Sequence, residues 1–474
     1  MKEEFEDIFQ NEEYDELLNR WEDMLKNKKK YFFDVFEFEN IIDYYIDTDK
    51  ANNALKAVTL ASEQHPSSII IQLKKAQVLI DKGQAAQALK IIEQLELIES
   101  SNIDIFLVKG AALNALNRYS EAEKAFDMAV NVSFEEKVEV IQSVANAFEQ
   151  VGKYQISLKY LLEAYKLEPT NLLILFDIGY SYEKLGQIKK SIDYYLRYLD
   201  REPFSENAWY NLGILYTKAE MFDKAVEAYE FALAINPEFS LAFFNLANAY
   251  SNNEDYLKAI ENYKEYLNYD GNSVEVLTYM GDCYESLKNY DEAYVYYENA
   301  IKEDEFFSDA HFGKANILFQ QNNYNEALEL VNKAIMIDDL NAEYHYLLGS
   351  IFSELKDDKL ACISYKKAFE IEPSEIDFVL ALNESYIKLQ KYTEAKDILI
   401  EFLKEHKKNA LVYFRLAGCF LRLDDKLQAL DAFENGLRID PSDHSEIFTI
   451  YPDAFIQNEE FPKLIESYLL KDLN

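Results

Sequence analysis

One spacing governs this chain: its features return every 34 residues. Units start at Val35, Ile69, Ile103, Val138, Leu172, Glu206, Ser240, Val274, Ser308, Ala342, Ile376 and Ala410. Every interval is 34 residues except one of 35, before Val138. The extra residue falls near Phe134, where a turn can absorb it. A period of this length means a stack of one small unit, because each unit hides its apolar face only against its neighbours.

The stretch Glu206–Pro237 carries the pattern in its clearest form. With Glu206 as position 1, Trp209 is position 4, Leu212 is 7, Gly213 is 8 and Tyr216 is 11. Ala225 is position 20, Tyr229 is 24, Ala232 is 27 and Pro237 is 32. Positions 4, 7, 8 and 11 share one helical face, and 20, 24 and 27 share another. Two amphipathic helices joined by a turn follow. Gly213 and Ala225 are expected to let the two helix backbones approach, and Pro237 to end the second helix.

The other copies test this reading. Position 20 is alanine in ten copies and serine in two, Ser157 and Ser191. Position 8 is glycine or alanine in ten, the exceptions being Ile42 and Asn383. Of eight prolines, Pro66, Pro169, Pro203, Pro237, Pro373 and Pro441 occupy position 32, and none falls inside a predicted repeat helix. Gly83, Gly152 and Gly186 fall at position 15, the turn between paired helices, where a permissive backbone is useful.

This pattern resembles the tetratricopeptide repeat, whose signature places W, LG, Y, A, F, A and P at these positions. The resemblance covers residues 35–443. It implies an all-α fold, a right-handed α-solenoid of about twelve tandem 34-residue helix–turn–helix repeats with terminal capping helices.

Residues 1–34 are expected to form the N-terminal capping region, with a helix over 12–30. Tyr14, Leu17, Leu18, Trp21 and Leu25 share one of its faces. Glu12, Glu13, Asp15 and Glu16 near its start, and Lys26 and Lys28–Lys30 near its end, suit the helix dipole. Residues 444–474 read as a degenerate repeat and a C-terminal capping helix. Pro452 interrupts the former, and Pro462 opens a helix with Leu464, Ile465, Tyr468 and Leu469 on one face.

There are 86 acidic and 48 basic residues, a formal charge of −38. Such a chain repels nucleic acid and anionic membrane. No apolar run is long enough for a signal peptide or a membrane span. Cys283, Cys362 and Cys419 fall at repeat positions 10, 21 and 10 and read as reduced, buried small residues. The expectation is a soluble cytoplasmic protein, and the abundance of Lys, Ile, Asn and Tyr reads as bacterial.

No nucleotide, metalloprotease or C-x-x-C motif is present. His311 and His345 share position 4 in adjacent repeats, but that is a packing position and no third ligand joins them. No catalytic residue, metal or cofactor is expected, and hence no enzyme.

In the family that the chain resembles, positions 2, 5, 9, 12 and 13 of the first helix line a concave groove. Position 5 here carries Phe176, Tyr210, Phe244, Phe312, Tyr346 and Phe414. Position 9 carries Asn146, Asn248, Asp282 and Asn316, and position 2 adds Glu139, Glu275, Asp309 and Glu343. The candidate partner-binding residues are Phe176, Tyr210, Phe244, Asn248, Asp282, Phe312, Asn316 and Tyr346. They offer rings for packing, amides for a peptide backbone and carboxylates for basic side chains. An aromatic position 5 also occurs in this family without a ligand, so a purely structural role stays open.

Two specialised groove chemistries of the family do not fit. Repeats that clamp a chaperone's C-terminal carboxylate use Lys at position 5 with Asn at position 9, and no copy here has that Lys. Arrays attached to sugar transferases use an Asn ladder at position 6, where only Asn40, Asn211 and Asn245 occur. The expected function is a non-enzymatic interaction scaffold or adaptor. It would hold a peptide or helical segment of a protein partner, with basic residues favoured and no nucleic acid. The alternatives are an assembly subunit using its convex face or ends, self-association included, and a regulator of a separate enzyme.

Overall fold

The computed structural model describes residues 16–27 and 31–469. Among these residues the regular structure is entirely helical. The chain divides into two compact units, Met1–Pro237 and Glu238–Asn474.

The first unit holds a helix over 16–27 and six helix pairs. These run from Val35–Asp47 with Ala51–Gln64 to Glu206–Lys218 with Phe222–Ile235. The second unit holds six more pairs, from Ser240–Asn252 with Tyr256–Asp270 to Ala410–Arg422 with Lys426–Ile439. It closes with the short helices Ser442–Glu446, Ile447–Ile450 and Ala454–Gln457 and the longer Glu460–Leu469. Within each unit, a first helix packs on its own second helix, which packs on the next first helix. This is the arrangement of an α-solenoid. No helix among the described residues is long and apolar enough to cross a membrane.

Local chemistry sets the helix starts. Ser68, Asn102, Asn171, Ser205, Ser273, Asn341 and Asn409 each cap a first helix by accepting from a backbone N–H of its first turn. Asp34 and Glu37 form a reciprocal capping box. The helix Lys137–Glu149 has no such cap and starts one residue before the period places it. The turn ahead of it carries Phe134, which is exposed.

The turn inside each pair has one conformation throughout. Position 15 has a positive φ in every copy: Gly83, Gly152 and Gly186, and nine residues with side chains from Asp49 (52°) to Asp424 (59°). The close approach at position 8 differs from its expected form. Gly213 makes room for the ring of Tyr229, at position 24 of the same repeat, rather than for a helix backbone. Gly110 with Phe126, Gly281 with Tyr297 and Gly349 with Tyr365 repeat the arrangement.

At the N-terminal end, Trp21 is fully buried and meets Phe33 and Phe38 edge-on at 5.8 and 6.2 Å. Leu17 and Met24 are buried beside it, whereas Leu25, expected on that face, is exposed. The buried side takes in Met24 because, at 100° per residue, Met24 lies about 20° around the helix from buried Leu17, whereas Leu25 lies about 80° from it. Tyr14, the acidic residues 12, 13 and 15, and Lys28–Lys30 lie outside the described residues. At the other end, the helix Glu460–Leu469 starts two residues before Pro462, so the proline sits in its first turn, where its missing N–H costs nothing. Phe461 and Ile465 are buried. Leu464 and Tyr468 pack partly, and the side chain of Leu469 is outside the described residues.

A candidate interaction face on the first helices

In the first unit, Phe176 and Tyr210 are half-buried. Phe176 meets the ring of Tyr195 edge-on at 5.2 Å, and Tyr210 lies 5.9 Å from Tyr229. Both partners are position-24 tyrosines with almost no exposure. The second unit repeats the motif at Phe244 and Tyr346, whereas Phe312, whose repeat has Val331 at position 24, packs on Tyr344 of the next repeat. Phe244 packs on Tyr263 and Tyr266, and Tyr346 on Tyr365 and Phe378. Each of these position-5 rings is thus partly committed to the core and partly open to solvent. Phe414 is different: it is wholly buried, 5.1 Å from Phe433, and belongs to no exposed face.

Position 9 has a structural task that the sequence reading did not assign. A buried phenol needs a partner for its O–H. The Tyr263 hydroxyl donates to Asn248 Oδ1 at 2.5 Å, and Tyr297 donates to Asp282 Oδ1 at 2.7 Å. Tyr365 does the same to Ser350 Oγ at 3.1 Å. Asn316 donates from Nδ2 to Glu285 Oε1 of the preceding repeat at 2.5 Å. Asn248, Asp282 and Asn316 therefore each hold part of the core. The available signal was a tyrosine at position 24 with a polar residue 15 places before it.

The exposed residues of this face are mostly acidic in the second unit. Glu275, Asp309, Glu343 and Asp377 occupy position 2 in four successive repeats, and all are exposed. Each lies in the first turn of its helix, which the helix dipole favours. Glu343 is open to water on one side only, and partial desolvation by the protein on the other raises its carboxyl above its ordinary range, with the charges of Glu375, Glu372 and Asp377 adding to the rise. Asp282 is reachable by water yet crowded by protein on most sides. That crowding, with Glu285 and Asp309 nearby, lifts its carboxyl to about 6 against the opposing effect of the Tyr297 hydrogen bond. In the first unit, burial and the Glu149 charge lift Asp177 to about 6. Asp377, Glu384 and the exposed ring of Tyr279 also belong to this face and were not among the candidates. Tyr279 was missed because it sits at position 6.

The position-4 residues have a shared explanation. Trp209 Nε1 donates to the Pro203 carbonyl at 2.8 Å. His311 and His345 contact the carbonyls of Glu305 and Asp339 through Nε2 at 2.9 and 3.1 Å. Each ring thus pins the turn six residues before it, which needs the histidine proton on Nε2. No group of three or more His, Cys, Asp or Glu suited to a metal ion occurs among the described residues.

Paired helices of nearly constant length, a small residue facing a ring, and a fixed left-handed turn define a helical repeat protein. The chain belongs to the tetratricopeptide repeat family. Models of that repeat match residues 145–206, 206–239, 228–261, 286–351, 342–375 and 380–444, and a tetratricopeptide repeat-like domain matches 45–150. Solved structures similar to this chain include a tetratricopeptide repeat protein from Parabacteroides merdae. It is 20% identical with a TM-score of 0.44, over 52% of this chain and 98% of that one. MamA from Desulfovibrio magneticus is 19% identical with a TM-score of 0.35, over 36% and 96%. YrrB, described as having an unusual peptide-binding site, is 19% identical with a TM-score of 0.32, over 40% and 96%. A comparison with curated proteins finds no match.

Proposed function

We propose that this protein is a non-enzymatic interaction scaffold that holds a segment of a protein partner against its first-helix faces. The observation that carries the reading is the half-exposed state of the position-5 rings. Phe176 and Tyr210 in one unit, and Phe244, Phe312 and Tyr346 in the other, each leave part of a large apolar surface in water. Polar side chains flank them, a mixture that suits a peptide with both apolar and polar groups. The carboxylates at position 2 of the second unit, and the overall charge of −38, favour a partner with basic residues.

A second reading has its own support. Large apolar residues stand exposed at the ends of second helices and in the turns after them, among them Leu97, Phe134, Phe204, Phe306, Met336 and Leu340. An assembly that used these edges would bury them instead.

Site-specific photo-crosslinking separates the two. A photoreactive residue is placed at Tyr279 or Asn207 on first helices, at Leu257 or Val295 on second helices, and at Leu340 in a turn. All five sites are exposed, so folding is little disturbed. Crosslinks to a partner from the first-helix sites alone support the groove reading. Crosslinks only from Leu340 or the second-helix sites sink it.

A further inference from the structure

Tyr297 is fully buried, and its ring lies against Gly281 of its own repeat and Gly313 of the next. Its hydroxyl oxygen is 2.7 Å from Asp282 Oδ1 and 2.9 Å from Glu285 Oε2. A phenol carries one proton, and an ionised carboxylate carries none. The hydroxyl can fill only one of these contacts. The other brings two acceptor oxygens to hydrogen-bond distance, a contact that is at best half of a weaker bifurcated bond unless a carboxyl supplies a proton of its own.

The surrounding groups do not supply that proton. On the next first helix, Asn316 spends an N–H on Glu285 Oε1, and Asp309 adds negative charge. Tyr279, one turn back, and Tyr263, on the preceding second helix, face Asp282 as neutral phenols, and the Tyr263 hydroxyl goes to Asn248. Glu275 adds a further negative charge beside Tyr279. The Cys283 thiol contacts Ser251. Lys288 and Tyr290 line a cavity of about 380 Å³ beside the two carboxylates, and among the described residues Lys288 forms no ion pair with either.

We propose that Asp282 and Glu285 share one proton through Tyr297, and that this proton locks the junction of the helices Val274–Ser286 and Ser308–Gln320. When it leaves, the two carboxylates repel, and Asp282, already reachable by water, parts from the phenol. Tyr297 keeps a single partner. The repulsion also pulls on Glu285, which bridges Tyr297 to Asn316, and the junction opens more often. Two other junctions have the same tyrosine without the switch, because Asn248 and Ser350 are neutral acceptors.

The sign is opposite to that of a salt-bridged carboxylate. Burial raises both carboxyls above their ordinary range. The folded chain therefore binds the proton more tightly than the unfolded chain does. The stabilisation is complete below the ordinary carboxylate pKa of about 4 and is lost as the pH rises through about 6.

Hydrogen–deuterium exchange of the full chain at about pH 5 and about pH 8, with intrinsic rates divided out, tests this. Protection over residues 274–320 is expected to fall about threefold or more relative to residues 206–235, where Tyr229 faces the neutral Thr217. The double variant Asp282→Asn with Glu285→Gln, and separately Tyr297→Phe, should abolish the difference. A constant ratio in the wild type overturns the proposal, as does a fall that persists in a folded double variant. Carbon-13 titration of the Asp282 carboxyl in the wild type decides the matter without any variant. A midpoint well above the ordinary aspartate value of about 4 supports the shared proton, and one at that value refutes it.

Discussion

The ring of Tyr229 fills the space where Gly213 would otherwise carry a β-carbon, which would lie 2.5 Å from the ring. The pair is local in space although 16 residues separate its members in sequence. Gly213→Ala should therefore cost about 1–3 kcal/mol through overpacking. Thermal melts of the single variant, of Tyr229→Leu and of the double variant form a cycle. The double variant should be more stable than the sum of the singles implies, and strict additivity would show that the contact is not what excludes the β-carbon.

The left-handed turns hold strain that could be relieved. Glu220 and Lys356 adopt φ of 57° and 63°, a conformation that costs a side-chain-bearing residue about 1–2 kcal/mol. Glycine removes that cost but adds unfolded-state entropy, so Glu220→Gly and Lys356→Gly should each gain about 0.5–1 kcal/mol. Asn322→Gly should gain nothing, because asparagine tolerates this region and Asn322 Oδ1 accepts from the Tyr324 hydroxyl at 2.7 Å. Urea unfolding midpoints check all three.

Asn383 breaks the small-residue rule at position 8. It is fully buried, and its Nδ2 donates to the Ala395 carbonyl at 3.1 Å, while its Oδ1 has no partner. Asn383→Ala discards an unsatisfied acceptor and should gain about 0.5–1 kcal/mol. Asn383→Leu removes the hydrogen bond and sets two methyl groups, bulkier than the amide, beside Cys419, and should cost about 1–3 kcal/mol by crowding. Melts that rank the two variants the other way would show that the amide holds this junction.

Asp177 gives a pH prediction in the first unit. Burial first, and the Glu149 charge second, raise its carboxyl to about 6. Its proton then stabilises the fold below about pH 4, and the contribution is lost as the pH rises through about 6. Asp177→Asn should match wild type near pH 4 and exceed it at pH 8 by on the order of 1 kcal/mol, allowing for solvent screening at a partly open site. Equal denaturation midpoints at pH 8 would show that Asp177 is better solvated than its surroundings suggest.

The helical repeat was legible because its signals are local. A 34-residue period, alanine or serine at position 20, and proline at position 32 all act within one helix pair. The side chains of the candidate face were harder to read, because their environment is set by the partner helix. Phe414 and Phe312 share a position in the sequence pattern, yet only Phe414 is wholly buried. Asn248 and Asp282 look like free groove polars until Tyr263 and Tyr297 are seen to donate to them. At the N-terminal end, the pattern chose Leu25 where the fold buries Met24, since both lie close to the edge of the same apolar stripe.

The bond from a core tyrosine to position 9 also limits how such an array can change its ligands. Asn248, Asp282 and Ser350 answer first to a phenol inside the protein. A substitution there that suited a new partner would strand a buried hydroxyl unless the tyrosine changed with it. Residues such as Asn207 and Asp377 owe nothing of this kind to the interior. Recognition can drift quickly at those sites and only in paired steps at position 9, so gene copies of this array should diverge unevenly along a single helix face.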